Sequence, residues 1–219
     1  MKKHLCSLIF VLLLLAPSSS FSITGIDETA LFEMDLGQLE LQAAQLKGHL
    51  DKDPSNYENL AGLGVVRFFM AVKDSRTYSA VAVQLLEQAL QEKPGDNELL
   101  CYLGSAYLLR SNFEPDSTLK AKYIGKGLEY MDEAMKKSPE SISIRMVRGN
   151  TTMSMPDFFN RRSMACQDFE YLAGVFKTNA KLSPVLKASV YGSLATLYEK
   201  DGNSEKAQEY RTLAANLSR

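Results

Sequence analysis

The feature that most constrains the fold is internal repetition at helical spacing. YENLAGLGVVRFF from Tyr57 and NELLCYLGSAYLL from Asn97 align so that Leu60 meets Leu100, Leu63 meets Leu103 and Gly64 meets Gly104. Each stretch is followed by a second helical pattern, AVQLLEQALQEKPGD and GLEYMDEAMKKSPES. There Ala82, Leu86, Ala89 and Pro94 meet Gly127, Met131, Ala134 and Pro139. A further unit closes the chain, with Tyr191, Leu194, Ala195, Tyr198, Gly202, Ala207, Tyr210 and Ala214. Apolar residues three and four apart make one stripe per helix, and the small residues let two helices cross closely. Pro94 and Pro139 stop one helix pair and launch the next. A single pair cannot bury its stripe, so neighbouring pairs must stack. No window alternates polar and apolar residues as a strand would.

This order of large, small and aromatic positions resembles the tetratricopeptide repeat family, and the unit from Tyr191 to Ala214 matches it without insertion. The resemblance spans roughly residues 57–217. It implies an all-α, right-handed α-solenoid of helix hairpins, with about four repeats at 57–96, 97–140, 141–183 and 187–217. An N-terminal capping helix region at 23–56 precedes them, its candidate helix lying in Leu36 to Pro54. The first two units carry extra residues between their helices, about six around VKDSRTYS and about eleven in RSNFEPDSTLKAKYIGK. The latter segment reads either as a short extra helix capped by Ser117 or as a lengthened linker. The third unit is the most divergent. Ile144 and Val147 take the places of Leu100 and Leu103, which sets Arg148 where the other units have glycine or alanine, with Gly149 one residue away. Met155-Pro156 ends its first helix.

The N-terminus, MKKHLCSLIFVLLLLAPSSSFS, has a basic start, an apolar run of about a dozen residues and a serine cluster. Ser20 and Ser22 suit positions −3 and −1 of a cleavage site before Ile23, so residues 1–22 read as a signal peptide. An uncleaved N-terminal anchor is the alternative, although the run is short of the roughly 20 residues that span a bilayer. The expected location is therefore extracytoplasmic, periplasmic or secreted, as for a bacterial-type tetratricopeptide protein with a signal peptide; the membrane enters only if the segment stays uncleaved. Cleavage would remove two lysines and no acid, taking the formal charge from −1 to −3. That balance argues against a nucleic-acid partner. Cys101 and Cys166 would remain, able to pair outside the cytoplasm or to serve as small core residues. With His49 they are too few for a conventional zinc site.

The stretch IRMVRGNTTMSMPDFFNRR holds the densest candidate constellation. Arg145 and Arg148 share a helix face, Arg161 and Arg162 begin the partner helix, and Asn150 lies near the hairpin. Guanidinium forks suit carboxylate or phosphate recognition, so these residues read as an anionic anchor for a peptide. Internal salt bridges, for example of Arg161 or Arg162 with Asp157, Asp168 or Glu170, are the competing reading. Phe158 and Phe159 read as a core plug under the hairpin or as a ligand clamp. On the resemblance, the inward face of the first helices includes Ala61, Val65, Phe68, Cys101, Ser105, Leu108, Arg145 and Thr152, and Tyr102 is a further partner-binding candidate. Such a surface suits an amphipathic helix or an extended peptide with an acidic residue. No catalytic motif is present, and no cofactor or metal is expected. The sequence thus predicts a non-catalytic scaffold of the cell envelope, binding a protein or peptide in its concave face and possessing end faces able to oligomerise. The alternative is a small-ligand- or lipid-binding component of an envelope transport or assembly machine, with a pocket closed by Tyr-rich helices and the 110–126 insertion.

Overall fold

A computed structural model describes residues 22–23, 26–178 and 182–217. The leader expected over residues 1–22 therefore falls, save for Ser22, outside the described residues. Among these, a two-residue antiparallel pair, Ser22–Ile23 with Ile26–Asp27, precedes an all-helical body. A short helix α1 (Glu28–Glu33) and α2 (Leu36–Leu50) come first. Four hairpins follow: α3 (Tyr57–Lys73) with α4 (Ser75–Glu92), α5 (Asn97–Ser111) with α6 (Ser117–Lys137), α7 (Ile142–Met153) with α8 (Arg162–Thr178), and α9 (Pro184–Lys200) with α10 (Ser204–Leu217). The architecture is a helical solenoid: α2 packs on α3, α4 on α5, α8 on α9, and among the first helices α3 touches α5 and α5 touches α7.

Local chemistry sets the helix starts. The carboxylates of Asp74, Asp96 and Asp116 each accept from the backbone N–H three residues on, satisfying an amide that the first turn leaves orphaned. Asn56 and Ser141 do the same for α3 and α7, and Asp35 forms a reciprocal capping box with Gln38 for α2. Pro94 and Pro139 lie just beyond the ends of α4 and α6. Asp74 alone separates α3 from α4, so the VKDSRTYS segment is helix on both sides of one residue. The Arg110–Lys126 segment is likewise neither a separate helix nor a linker. Its first two residues end α5, five form the turn and the last ten begin α6, which runs to 21 residues with Asp116 as its cap instead of Ser117.

The small positions perform close crossings. A Cβ on Gly104 would lie 2.7 Å from the Gly127 carbonyl oxygen, and one on Gly64 would lie 2.9 Å from a Leu86 methyl. The third hairpin crosses at Gly149, where a Cβ would lie 3.1 Å from the Phe169 ring. The small position is therefore Gly149, and the expected register that placed Arg148 there is off by one. In the corrected register Arg145 and Arg148 replace Leu60 and Leu63 of the first unit.

That replacement divides the interior. One apolar cluster runs from Leu31 through α2–α6 to Ile144 and Val147. A second begins at Met146 and runs through α8–α10. Each fully buried leucine, such as Leu86 or Leu194, stabilises by about 1.5–3 kcal/mol. Cys101 and Cys166 are both free thiols, the first buried and the second half-buried. Burial pushes the Cys101 thiol well above its ordinary pKa.

Candidate functional site: the concave groove

The arginine constellation resolves into internal ion pairs. Asp168 of α8 is fully buried. Its oxygens accept from Arg148 Nε at 2.8 Å and Nη2 at 2.9 Å, and from Arg145 Nη1 at 3.0 Å. Burial pushes the Asp168 carboxyl up, and the Arg148 and Arg145 guanidiniums pull it back. Arg145 also donates to the Pro139 carbonyl and stacks 3.8 Å over the Tyr171 ring. Arg161 donates to both oxygens of Asp132, at 2.8 and 3.0 Å, and Arg162 pairs with Asp157 and Asp201. The four cations are thus occupied by carboxylates of α6, α8 and the turns. They fasten the junction between the two apolar clusters and leave little fork geometry for an incoming anion.

The concave face instead holds an apolar cavity of about 740 Å³. Phe68, Phe69 and Val72 contribute from α3, and Tyr102, Ser105, Leu108 and Leu109 from α5. The third hairpin supplies Met146, Asn150 and Met153 from α7, with Phe158 and Phe159 from a 3-10 turn at Asp157–Phe159. The extended part of α6 contributes Lys120 and Ile124, and α9 contributes Leu186 and Ser193. Phe68 packs edge-on against Tyr102, with centroids 5.0 Å apart. The Ser105 hydroxyl shares a 2.7 Å bond with that of Thr151. The Asn150 amide is directed back to the Met146 carbonyl.

Of the candidate residues, the structure gathers Phe68, Tyr102, Ser105 and Asn150 at the cavity and sets Arg145, Arg148, Arg161 and Arg162 apart from its lining. Among the inward positions expected from the repeat register, Leu108 also lines it, whereas Ala61, Val65 and Cys101 are core and Thr152 is buried, bonded to the Arg148 carbonyl. Phe158 is no core plug: it is 79% exposed and lines the cavity, as does Val72 at 57%.

Sequence reasoning missed one side of the groove. Helix α1 lies against it, and Phe32 lines the same cavity. The buried Glu28 carboxylate accepts from the Tyr102 and Ser143 hydroxyls, each at 2.7 Å. Burial, then the Glu28 charge, pushes the Tyr102 phenol well above its usual range. The available signal was the spacing in ETALFE, an acid followed three and four residues later by Leu31 and Phe32.

Solved structures share this arrangement of helices. A crystal structure of MamA superposes with a TM-score of 0.50 at 18% identity, over 90% of this chain and 95% of that one. A MamA structure from AMB-1 gives 0.50 at 17% identity, over 87% and 96%. At that identity the likeness establishes the fold alone. No curated protein sequence matches the chain. The family model for the plant-specific mitochondrial import receptor subunit TOM20 matches residues 42–183. This finding overturns the expected extracytoplasmic, periplasmic or secreted location, since the matched family is named for mitochondrial import and is not a bacterial envelope group. Among the described residues, no helix is long and apolar enough to cross a membrane. The match covers α3 to α8 and most of α2, nearly two thirds of the chain, and on it the chain belongs to the plant-specific mitochondrial import receptor subunit TOM20 family.

Proposed function

We propose that this chain is a non-catalytic protein-binding scaffold that receives an apolar peptide segment of a partner in its concave groove. One observation carries the reading: an apolar cavity on the concave face whose mouth displays Val72 and Phe158 to solvent. An apolar surface left open to solvent marks a site that a partner covers. Membership in a family of import receptor subunits supports a receptor role. The rim carries Lys73 and Lys120, which favours a segment with acidic residues beside its apolar ones. The cavity is only partly enclosed, which leaves room for a stretch of polypeptide, while its lining by Ser111, Asn112, Lys120 and Ile124 is what the small-ligand or lipid alternative expects.

Photo-crosslinking in the native host tests this. A photoreactive residue at Phe69 or Met153 should give discrete protein adducts. The same residue at Val81, exposed and away from the cavity lining, should not. Equal labelling from all three positions would sink the reading.

A further inference from the structure

Helix α1 is too short to exist on its own. Six residues lie far below the roughly 12–15 at which an isolated helix becomes even marginal, so docking holds it in place. Contacts on several sides do so. Glu28 places a carboxylate on the Tyr102 and Ser143 hydroxyls. Leu31 is 1% exposed in the first apolar cluster, and Phe32 enters the cavity. Outside the groove, the exposed Glu33 carboxylate accepts from Ser183 at 2.9 Å.

The receiving site is built. Tyr102 and Ser143 are 1% and 3% exposed, and both aim a hydroxyl at one carboxylate oxygen. Burying a carboxylate costs heavily unless donors compensate, and these two donors are set on different helices, α5 and α7. The combination is a carboxylate socket beside an apolar cavity. Its present occupant is a local strap, joined to α2 only through Met34 and Asp35.

We infer that α1 is an internal stand-in for the partner: the groove recognises a helical segment with a carboxylate followed at the third and fourth positions by bulky apolar side chains, and such a segment binds by displacing α1. This rests on the reading of the groove as a partner site and names the chemistry of that partner. Tethering makes α1 a strong competitor, since short linkers give effective concentrations of order millimolar. A peptide of the same pattern therefore binds the intact chain weakly and gains when the tethered copy is disabled.

The probe is a fluorescein-labelled peptide copying residues 26–36, titrated by anisotropy into the full chain. Two charge-assisted hydrogen bonds hold Glu28, so Glu28→Ala should tighten peptide binding by more than about tenfold and release protection from hydrogen exchange at residues 28–33. Tyr102→Phe with Ser143→Ala should release α1 equally yet bind the peptide no better than wild type, because the socket itself is gone. Should Glu28→Ala impair folding, the milder Glu33→Ala removes one exposed latch and should tighten binding about threefold to tenfold. A peptide that binds neither chain, or binds wild type and Glu28→Ala alike, makes α1 a fixed strap and overturns the inference. Those results leave the groove reading standing if adducts still form at Phe69 and Met153. Absent adducts overturn the groove reading itself.

Discussion

Replacing Gly104 by alanine isolates the physics that packs this solenoid. In a helix interior the change is intrinsically favourable by about 1 kcal/mol, because glycine loses more backbone freedom on folding. Here the new methyl would sit 2.7 Å from the Gly127 carbonyl oxygen, 2.9 Å from Met131 Cγ and 3.1 Å from the Met131 nitrogen. Two of those three atoms are backbone and cannot rotate away, so α5 and α6 must separate. Overpacking of this kind costs about 1–3 kcal/mol, at times more, and the unyielding contact puts this case at the upper end. The net expectation is a loss of about 1–2 kcal/mol. Gly125, two residues before Gly127 on the same helix, is the control: nothing lies within 4 Å of its added Cβ. Gly125→Ala should stabilise by about 0.5–1 kcal/mol. Urea unfolding followed by far-UV circular dichroism reads both. With a slope of about 2 kcal/mol per molar, the Gly104→Ala midpoint falls by about 0.5–1 M while the Gly125→Ala midpoint rises. If Gly104→Ala proved as stable as wild type at unchanged slope, small residues would not be setting the helix crossings.

Two further outcomes follow from the polar junctions. Asp168→Asn leaves Arg148 and Arg145 facing a neutral group in a buried site and should cost about 3–5 kcal/mol, measured by urea unfolding. Changing Arg145, Arg148 and Asp168 together to leucine should recover most of that loss, because removing all the charges leaves none uncompensated; failure to recover would mean that the ion pairs set the junction's geometry. Burial pushes the Glu98 carboxyl above its usual range, against the Ser141 hydroxyl that donates to it. A raised folded-state pKa favours folding in acid, and that advantage is lost as pH rises through it. Glu98→Gln should therefore raise the thermal midpoint at pH 7, and the gain should vanish below about pH 4, where the carboxyl is protonated in both states.

The helices were legible because their apolar stripes, capping side chains and prolines are local. The hairpin crossings were legible at Gly64 and Gly104 for the same reason. The third unit slipped by one residue because its leucine positions hold Arg145 and Arg148. A charged residue on a core face hides the stripe, and the compensating Asp168 lies 20 residues from Arg148, beyond any local pattern. The α6 extension was missed because the charges and the single aromatic of Ser117–Lys126 fit a lengthened linker as well as a short extra helix. On the groove, Phe68, Ser105 and Leu108 followed from the repeat register, and Tyr102 from the run of tyrosines on these helices. Helix α1 did not, since its place comes from tertiary docking and not from propensity. Phe158 stayed open between core plug and ligand clamp because a phenylalanine pair near a hairpin carries no local sign of which ring the turn exposes.

The division of the interior explains why the groove lies where it does. The first helices of the hairpins line the concave side, and α7 is where one apolar cluster hands over to the other, Ile144 and Val147 facing back and Met146 facing forward. Beside this junction, fastened by directional ion pairs, α7 contributes Met146 and Met153 to the cavity lining. Helix α1 spans that place: Glu28 reaches α5 and α7, and Glu33 reaches Ser183, the cap of α9. The segment in the groove therefore ties the two clusters together as well as covering them. A partner that displaced α1 would have to supply both functions, an apolar face for the cavity and a carboxylate for the hydroxyls that join α5 to α7.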